Sequence, residues 1–171
     1  FLDVLRRMGA TLRVEGASGE MPEPYGDVTV TSHDGPFKSV SLNGRLIPNL
    51  IDEIPILAIL GTRCENGLEV REAGELRKKE SDRIEAIAHN LRAMNISVDT
   101  WEDGFFIHPS PLHAASLQSY GDHRIAMAFT VAGLAADGIT RMDEAECAAI
   151  SFPEFFGYLG ITTDEYESVV N

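Results

Sequence analysis

One junction is written three times along these 171 residues, and a repeated junction restricts the chain to folds assembled from like units. Leu5-Arg6-Arg7-Met8-Gly9-Ala10, Leu91-Arg92-Ala93-Met94-Asn95-Ile96 and Phe156-Gly157-Tyr158-Leu159-Gly160-Ile161 share one pattern. Each ends an amphipathic helix on Met or Leu, puts Gly or Asn where a left-handed cap is needed, and starts a strand. A second match aligns Asp52 with Asp122, each opening a helix that stops before a glycine-bearing turn, Glu65-Asn66-Gly67 or Asp137-Gly138. Glu72-Ala73-Gly74-Glu75 then falls in line with Glu144-Ala145-Glu146. The last two units are legible along their length and the first only as its second half. Phe1 leads straight into an apolar-periodic helix (Leu2, Leu5, Met8) with no polar lead-in, so the chain reads as cut upstream.

Hydrophobic period gives the element order. Helices are expected at 1–8, 52–62, 81–94, 122–136 and 153–159, with strands near 11–14, 28–31, 39–42, 68–70, 96–100, 105–107 and 139–142 and after Gly160. A Gly/Pro-rich loop fills 16–26, and Glu102, Asp103 and Gly104 mark a turn. Helices alternating with strands point to a single α/β or α+β domain over 1–171, built by pseudo-symmetric repetition. The helix from Asp122 is apolar on most sides, so burial inside the domain is expected.

Composition narrows the class. The apolar share of 44% and charged share of 24% are those of an ordinary soluble globular chain. No apolar run reaches the roughly 20 residues of a spanning helix, and a net charge of −13 argues against nucleic acid and anionic membrane as partners. Cys64 and Cys147 lack metal-ligand spacing and read as reduced thiols of a cytoplasmic protein. The histidines His33, His89, His108 and His113 have no zinc-type spacing either.

Against that acidic background the basic residues stand out at two helix starts. Lys78, Lys79 and Arg83 crowd a helix N-terminus capped by Ser81, where the macrodipole already contributes about half a positive charge. That arrangement suits a bound phosphate or carboxylate; a solvated turn with Glu80 and Asp82 pairing locally fits the residues as well. His123 and Arg124 repeat the pattern after Asp122, with an Arg–Asp structural pair and a structural histidine as the plainer readings. Asp52 opens a third start, followed by Pro55 in the first turn, and by itself serves as an N-cap. Pseudo-symmetry gathers the three starts on one face, and that face is the expected site.

Leu76-Arg77-Lys78-Lys79-Glu80-Ser81-Asp82-Arg83-Ile84 resembles the second signature of 5-enolpyruvylshikimate-3-phosphate synthases, and Asp122-His123-Arg124-Ile125-Ala126-Met127-Ala128-Phe129 resembles their late helix start. Ile51-Asp52-Glu53-Ile54-Pro55 and Ser151-Phe152-Pro153-Glu154-Phe155 resemble two further blocks in the same order. The likeness covers the whole chain and is nearest the glyphosate-tolerant bacterial subgroup of an enzyme that is the glyphosate target. It implies two domains of three βαβαββ units each, helices inside and sheets outside. About two and a half units are expected here, and the N-terminal domain of the same chain becomes a missing partner.

The implied reaction belongs to the shikimate pathway of aromatic amino acid biosynthesis. It transfers the enolpyruvyl group of phosphoenolpyruvate to shikimate 3-phosphate, with phosphate leaving and no metal or organic cofactor. By motif position Asp52 contacts the shikimate hydroxyls and is a proton-transfer candidate, and Glu80 is the acid/base at the enol methylene. Lys79 bridges the substrates, Arg83 and Arg124 hold the phosphate and carboxylate of phosphoenolpyruvate, and His123 orients its neighbours. Many members carry a lysine where this chain has Ile150, a departure that bears on the leaving phosphate. The chain alone is expected to be inactive. A UDP-N-acetylglucosamine enolpyruvyl transferase relative, or a non-catalytic anion-binding repeat domain, are the alternatives.

Overall fold

The structure is a computed structural model that describes residues 1–16, 26–31 and 35–160. Its order is α1 (Leu2–Arg7), β1 (Thr11–Glu15), β2 (Asp27–Thr31), β3 (Ser41–Leu42), α2 (Ile54–Gly61), β4 (Leu68–Val70), α3 (Arg83–Ala93), β5 (Val98–Trp101), β6 (Gly104–Ile107), β7 (Ser116–Leu117), α4 (His123–Leu134), β8 (Arg141–Met142) and α5 (Phe155–Tyr158). The stretch β3-α2-β4-α3-β5-β6 is one complete βαβαββ unit, and β7-α4-β8 opens the next.

Within the complete unit the sheet runs β3-β4-β6-β5, with β3 parallel to β4 and both neighbours of β6 antiparallel. A parallel pair needs a crossover, which α2 supplies, and α4 does the same for the parallel pair β7–β8. The three long helices pack on one another. Ile54, Leu57 and Ala58 of α2, Ile84, Ile87 and Leu91 of α3, and Ile125 and Phe129 of α4 are fully buried. Each such large side chain contributes about 1.5–3 kcal/mol on leaving water. Leu68, Val70, Phe105 and Ile107 close the core from the sheet side, while Glu69, Asp99 and Phe106 alternate outward.

The repeat is visible in the backbone itself. Gly9, Asn95 and Gly160, at the three junctions, have φ of +97°, +66° and +68°. The first two close identical C-terminal caps: Ala10 N–H bonds Leu5 C=O and Ile96 N–H bonds Leu91 C=O, both at 2.9 Å. Gly67 and Gly138 have φ of +82° and +102°, and Glu72 and Glu144 take the left-handed region at +57° and +43°.

Several boundaries differ from the sequence expectation. Asp82, not Ser81, caps α3, accepting from the Glu85 N–H at 3.1 Å, so the helix begins at Arg83. Asp52 caps nothing: it lies in the turn before α2, whose preceding residue, Glu53, makes no side-chain cap. Helix α4 buries Ile125, Ala126, Ala128, Phe129 and Ala132 but leaves Leu134 58% exposed, so it is apolar all round yet covered on one side. The 3₁₀ turns Gly44–Asn49, Gly74–Lys78 and Ala145–Ile150 were not foreseen, nor was β7. Turns that short and a two-residue strand carry no period to read. The strand expected after Gly160 and most of the 16–26 loop lie outside the described residues.

Candidate functional site

The three helix starts meet at the guanidinium of Arg83. This first residue of α3 is 1% exposed, a costly place for a cation beside a helix N-terminus. Three carboxylates from three elements compensate. Nε donates to Asp122 Oδ2 at 2.8 Å and Nη2 to Asp122 Oδ1 at 3.3 Å. Nη1 donates to Asp52 Oδ1 at 2.9 Å, and Nη2 also donates to Glu80 Oε2 at 2.7 Å.

Asp122 is fully buried and saturated. Besides Arg83 it accepts from the Ser81 hydroxyl at 3.0 Å and from the backbone N–H groups of Arg124 at 2.9 Å and Ile125 at 3.4 Å. Burial pushes its carboxyl up, but the Arg83 hydrogen bonds and charge, with Ser81 and the helix N–H, outweigh that and hold it below the ordinary 3.8. Asp52 is held low in the same way: some burial opposes, while Arg83, Arg124 and Lys79 favour the anion. Arg83 is pushed up, its burial more than offset by Asp122, Asp52 and Glu80.

The remaining cations divide into two kinds. Arg77 is spent on structure: it donates to Asp82 at 2.7 Å, to Glu85 at 3.2 Å, and to the carbonyls of Glu102 and Trp101 at 2.7 and 2.6 Å. Lys78 pairs with Glu75 at 3.2 Å. Lys79 is exposed and has no hydrogen bond or ion pair among the described residues. Arg124 is half-buried, and its Nε is a buried donor without a partner. A buried guanidinium N–H normally finds an acceptor. Lys79 and Arg124 both favour the Asp52 anion through their charge. His123, half-buried at the start of α4, stands beside Arg124.

Part of this arrangement escaped the sequence reading. Ser81 serves Asp122 rather than its own helix. Asn90, fully buried, clamps the backbone of Gln118 with two hydrogen bonds at 2.8 and 2.9 Å, holding the approach to α4 against α3. Next to it His89 Nδ1 meets the Tyr120 hydroxyl at 2.6 Å. An asparagine among Ile87, Leu91 and Met94 on the apolar face of α3 was the one available signal. Among the described residues no cluster of His, Cys, Asp and Glu is suited to a metal ion, and no helix is long and apolar enough to cross a membrane. Both cysteines are free.

The profile of the family EPSP synthase (3-phosphoshikimate 1-carboxyvinyltransferase) matches residues 1–159. The 3-phosphoshikimate 1-carboxyvinyltransferase of Salinibacter ruber is 48% identical over 160 residues, 92% of this chain and 37% of that protein. That of Akkermansia muciniphila is 49% identical over 156 residues, 90% of this chain and 36% of that protein. Among solved structures, EPSP synthase from Acinetobacter baumannii has a TM-score of 0.85 at 34% identity, covering 93% of this chain and 37% of that one. The enolpyruvyl transferase NikO from Streptomyces tendae, at TM-score 0.72 and 24% identity over 94% of this chain and 35% of that one, shares the fold. The chain thus spans a little over a third of the length of these relatives.

Proposed function

The chain belongs to the EPSP synthase family, and from that premise we propose that its helix-start face is one side of a site transferring the enolpyruvyl group of phosphoenolpyruvate to the 5-hydroxyl of shikimate 3-phosphate. The observation that carries the reading is the pair of uncommitted cations, Lys79 and Arg124, beside carboxylates already satisfied by Arg83. Both substrates are polyanions, and an acidic chain needs such a face to receive them.

The chemistry follows from the charges. Addition forms a C–O bond between the shikimate hydroxyl and the central enol carbon, while a proton goes to the terminal methylene. Glu80 gives that proton and Asp52 receives the hydroxyl proton. Elimination breaks the bond to phosphate, which leaves with the proton held on Asp52, and returns the methyl proton to Glu80. Lys79 and Arg124 stabilise the charge gathered on the departing phosphate and the carboxylate. Arg83 keeps one N–H, on Nη1, outside its four bonds and can offer it to the bound anion. Its larger part is to hold Asp52 and Glu80 at fixed positions, and His123 orients Arg124. Position 150 is an isoleucine, 73% exposed, and supplies no cation to the leaving phosphate. We assign this work to the cytoplasm, where the two free thiols stay reduced.

The chain joined to a complementary N-terminal portion is the system that tests this. Glu80→Gln there should cut kcat by about 10²–10⁴ with KM nearly unchanged. Comparable losses in kcat and affinity move Glu80 from proton transfer to binding, and appreciable turnover by the 171-residue chain alone overturns the half-site reading.

A further inference from the structure

The backbone is strained at one place that the repeat does not require. Tyr120 and Gly121 have φ of +58° and +65°, and the Asp122 N–H bonds the Ser119 carbonyl across them at 3.1 Å. A turn with both central residues at positive φ calls for Gly, Asn or Asp, so the tyrosine is held there against its preference. Among the described residues the other left-handed non-glycines answer to the repeat: Glu72 matches Glu144, and Asn95 matches Gly9 and Gly160. The helix start aligned with this one has no such turn. Leu50, two residues before Asp52, has φ of −128°, and Ile51 is not left-handed either. Asp52 caps nothing, whereas Asp122 accepts from the N–H groups of Arg124 and Ile125.

Buried polar side chains hold the turn in place. Asn90 of α3, fully buried, donates to the Gln118 carbonyl at 2.8 Å and accepts from the Gln118 N–H at 2.9 Å. Ser119, also fully buried, donates its N–H to Asp143 Oδ1 at 2.6 Å, and its hydroxyl oxygen accepts from the Gly121 N–H at 3.1 Å. Strained backbone persists only where the surroundings over-determine it, and such places cluster at functional sites. Directly beyond this one stands Asp122, which takes the Arg124 N–H at 2.9 Å, and then Arg124, whose Nε is the buried donor without a partner.

We propose that Asn90 and Ser119 are positioning residues: by keeping the Tyr120–Gly121 turn left-handed they set where Arg124 presents its guanidinium to the anionic group of phosphoenolpyruvate. Both are fully buried, so they act through the turn, and the role depends on Arg124 being a phosphoenolpyruvate ligand. The path is short. Ser119 fixes the Gly121 and Asp122 N–H groups, and Asp122 fixes that of Arg124. A misplacement of about 1 Å in such a group is enough to lower a rate severely.

The chain joined to a complementary N-terminal portion tests this through two substitutions at one position. Tyr120→Asn and Tyr120→Val both remove the phenol and its 2.6 Å contact with His89, but asparagine tolerates the left-handed region and a β-branched residue does not. Tyr120→Val should lower kcat/KM for phosphoenolpyruvate about 10-fold, and Tyr120→Asn less than about twofold. Asn90→Ala, Ser119→Ala and Gly121→Ala should behave like Tyr120→Val. A Cβ on Gly121 meets nothing within 4 Å, so Gly121→Ala strains the turn without disturbing packing and keeps the test open if Asn90→Ala unfolds. With Arg124→Ala already in place, none of these should lower kcat/KM further, whereas a general loss of structure would lower it in both backgrounds. Equal losses for Tyr120→Val and Tyr120→Asn, or losses that persist beside Arg124→Ala, overturn the positioning role and leave Arg124 as a ligand. An Arg124→Ala variant with unchanged kcat/KM removes Arg124 from the substrate site, and the positioning role falls with it.

Discussion

The guanidinium of Arg83 and the carboxylate of Asp122 lie edge to edge, joined at 2.8 and 3.3 Å between the starts of two different helices, and both are almost wholly buried. The pair ties α3 to α4 at the place where Asp52 and Glu80 also converge. Its worth lies in geometry: a buried ion pair adds little net stability over an apolar one, yet removing one partner strands the other.

Arg83→Gln should therefore destabilise the fold by about 3–5 kcal/mol at neutral pH, since it leaves Asp122 buried without its cation. Arg83→Lys should cost less but still not rescue the geometry, because an ammonium lacks the planar fork that reaches two oxygens at once. Urea unfolding of the two variants, read by circular dichroism, gives the order.

Asp122 makes stability depend on acid. Its folded carboxyl sits below the ordinary 3.8, so the contribution is fully present above that value and is lost as pH falls through the lower folded value. Asp52 shifts in the same direction and adds to the loss. Arg83 stays charged throughout and contributes no slope there. Asp122→Asn should cost about 3 kcal/mol at pH 7 and much less near pH 2, flattening the acid limb of a stability-versus-pH curve. A limb of unchanged steepness would assign acid sensitivity to other carboxylates.

Equivalent glycines should not be equally replaceable. A Cβ on Gly67 would fall 2.1 Å from the Ile107 carbonyl oxygen at φ +82°, whereas on Gly138 it would meet the Ala114 Cβ at 3.1 Å at φ +102°. Gly138→Ala should cost about 1–2 kcal/mol from backbone strain alone. Gly67→Ala should cost at least about 3 kcal/mol, since overpacking against the sheet adds to that strain. Thermal midpoints of the two variants check the difference.

Cys64 is almost wholly buried, and burial with the nearby Glu65 charge pushes its thiol up to about 11 from an ordinary 9.0. Two pH units leave about 100-fold less thiolate, so Cys64 should resist a thiol reagent at pH 8 until the protein unfolds. Cys147, half-buried, is also raised by burial, though Ser119 opposes it, and should label first. Mass spectrometry of peptides after timed labelling separates the two; faster labelling of Cys64 would contradict its burial.

Much of the architecture was legible because it is periodic. The αL caps at Gly9 and Asn95, the glycine turns and the apolar stripe of α3 follow from local rules that any chain obeys, and repetition makes each copy corroborate the others. The cations at the starts of α3 and α4 were visible for the same reason: they contradict the helix dipole. What remained hidden is which charges neutralise one another. Arg77 and Arg83 look alike in sequence, yet one is held by Asp82 and two backbone carbonyls at the surface. The other is sealed among Asp52, Glu80 and Asp122 from three elements. The chain by itself determined the repeat, its helices and the polar residues at their starts, because those depend on neighbours a few positions away. Only the tertiary structure decided that Arg83 is committed and Arg124 Nε is not, because partners 31 and 39 residues apart are brought together by the packing of the helices.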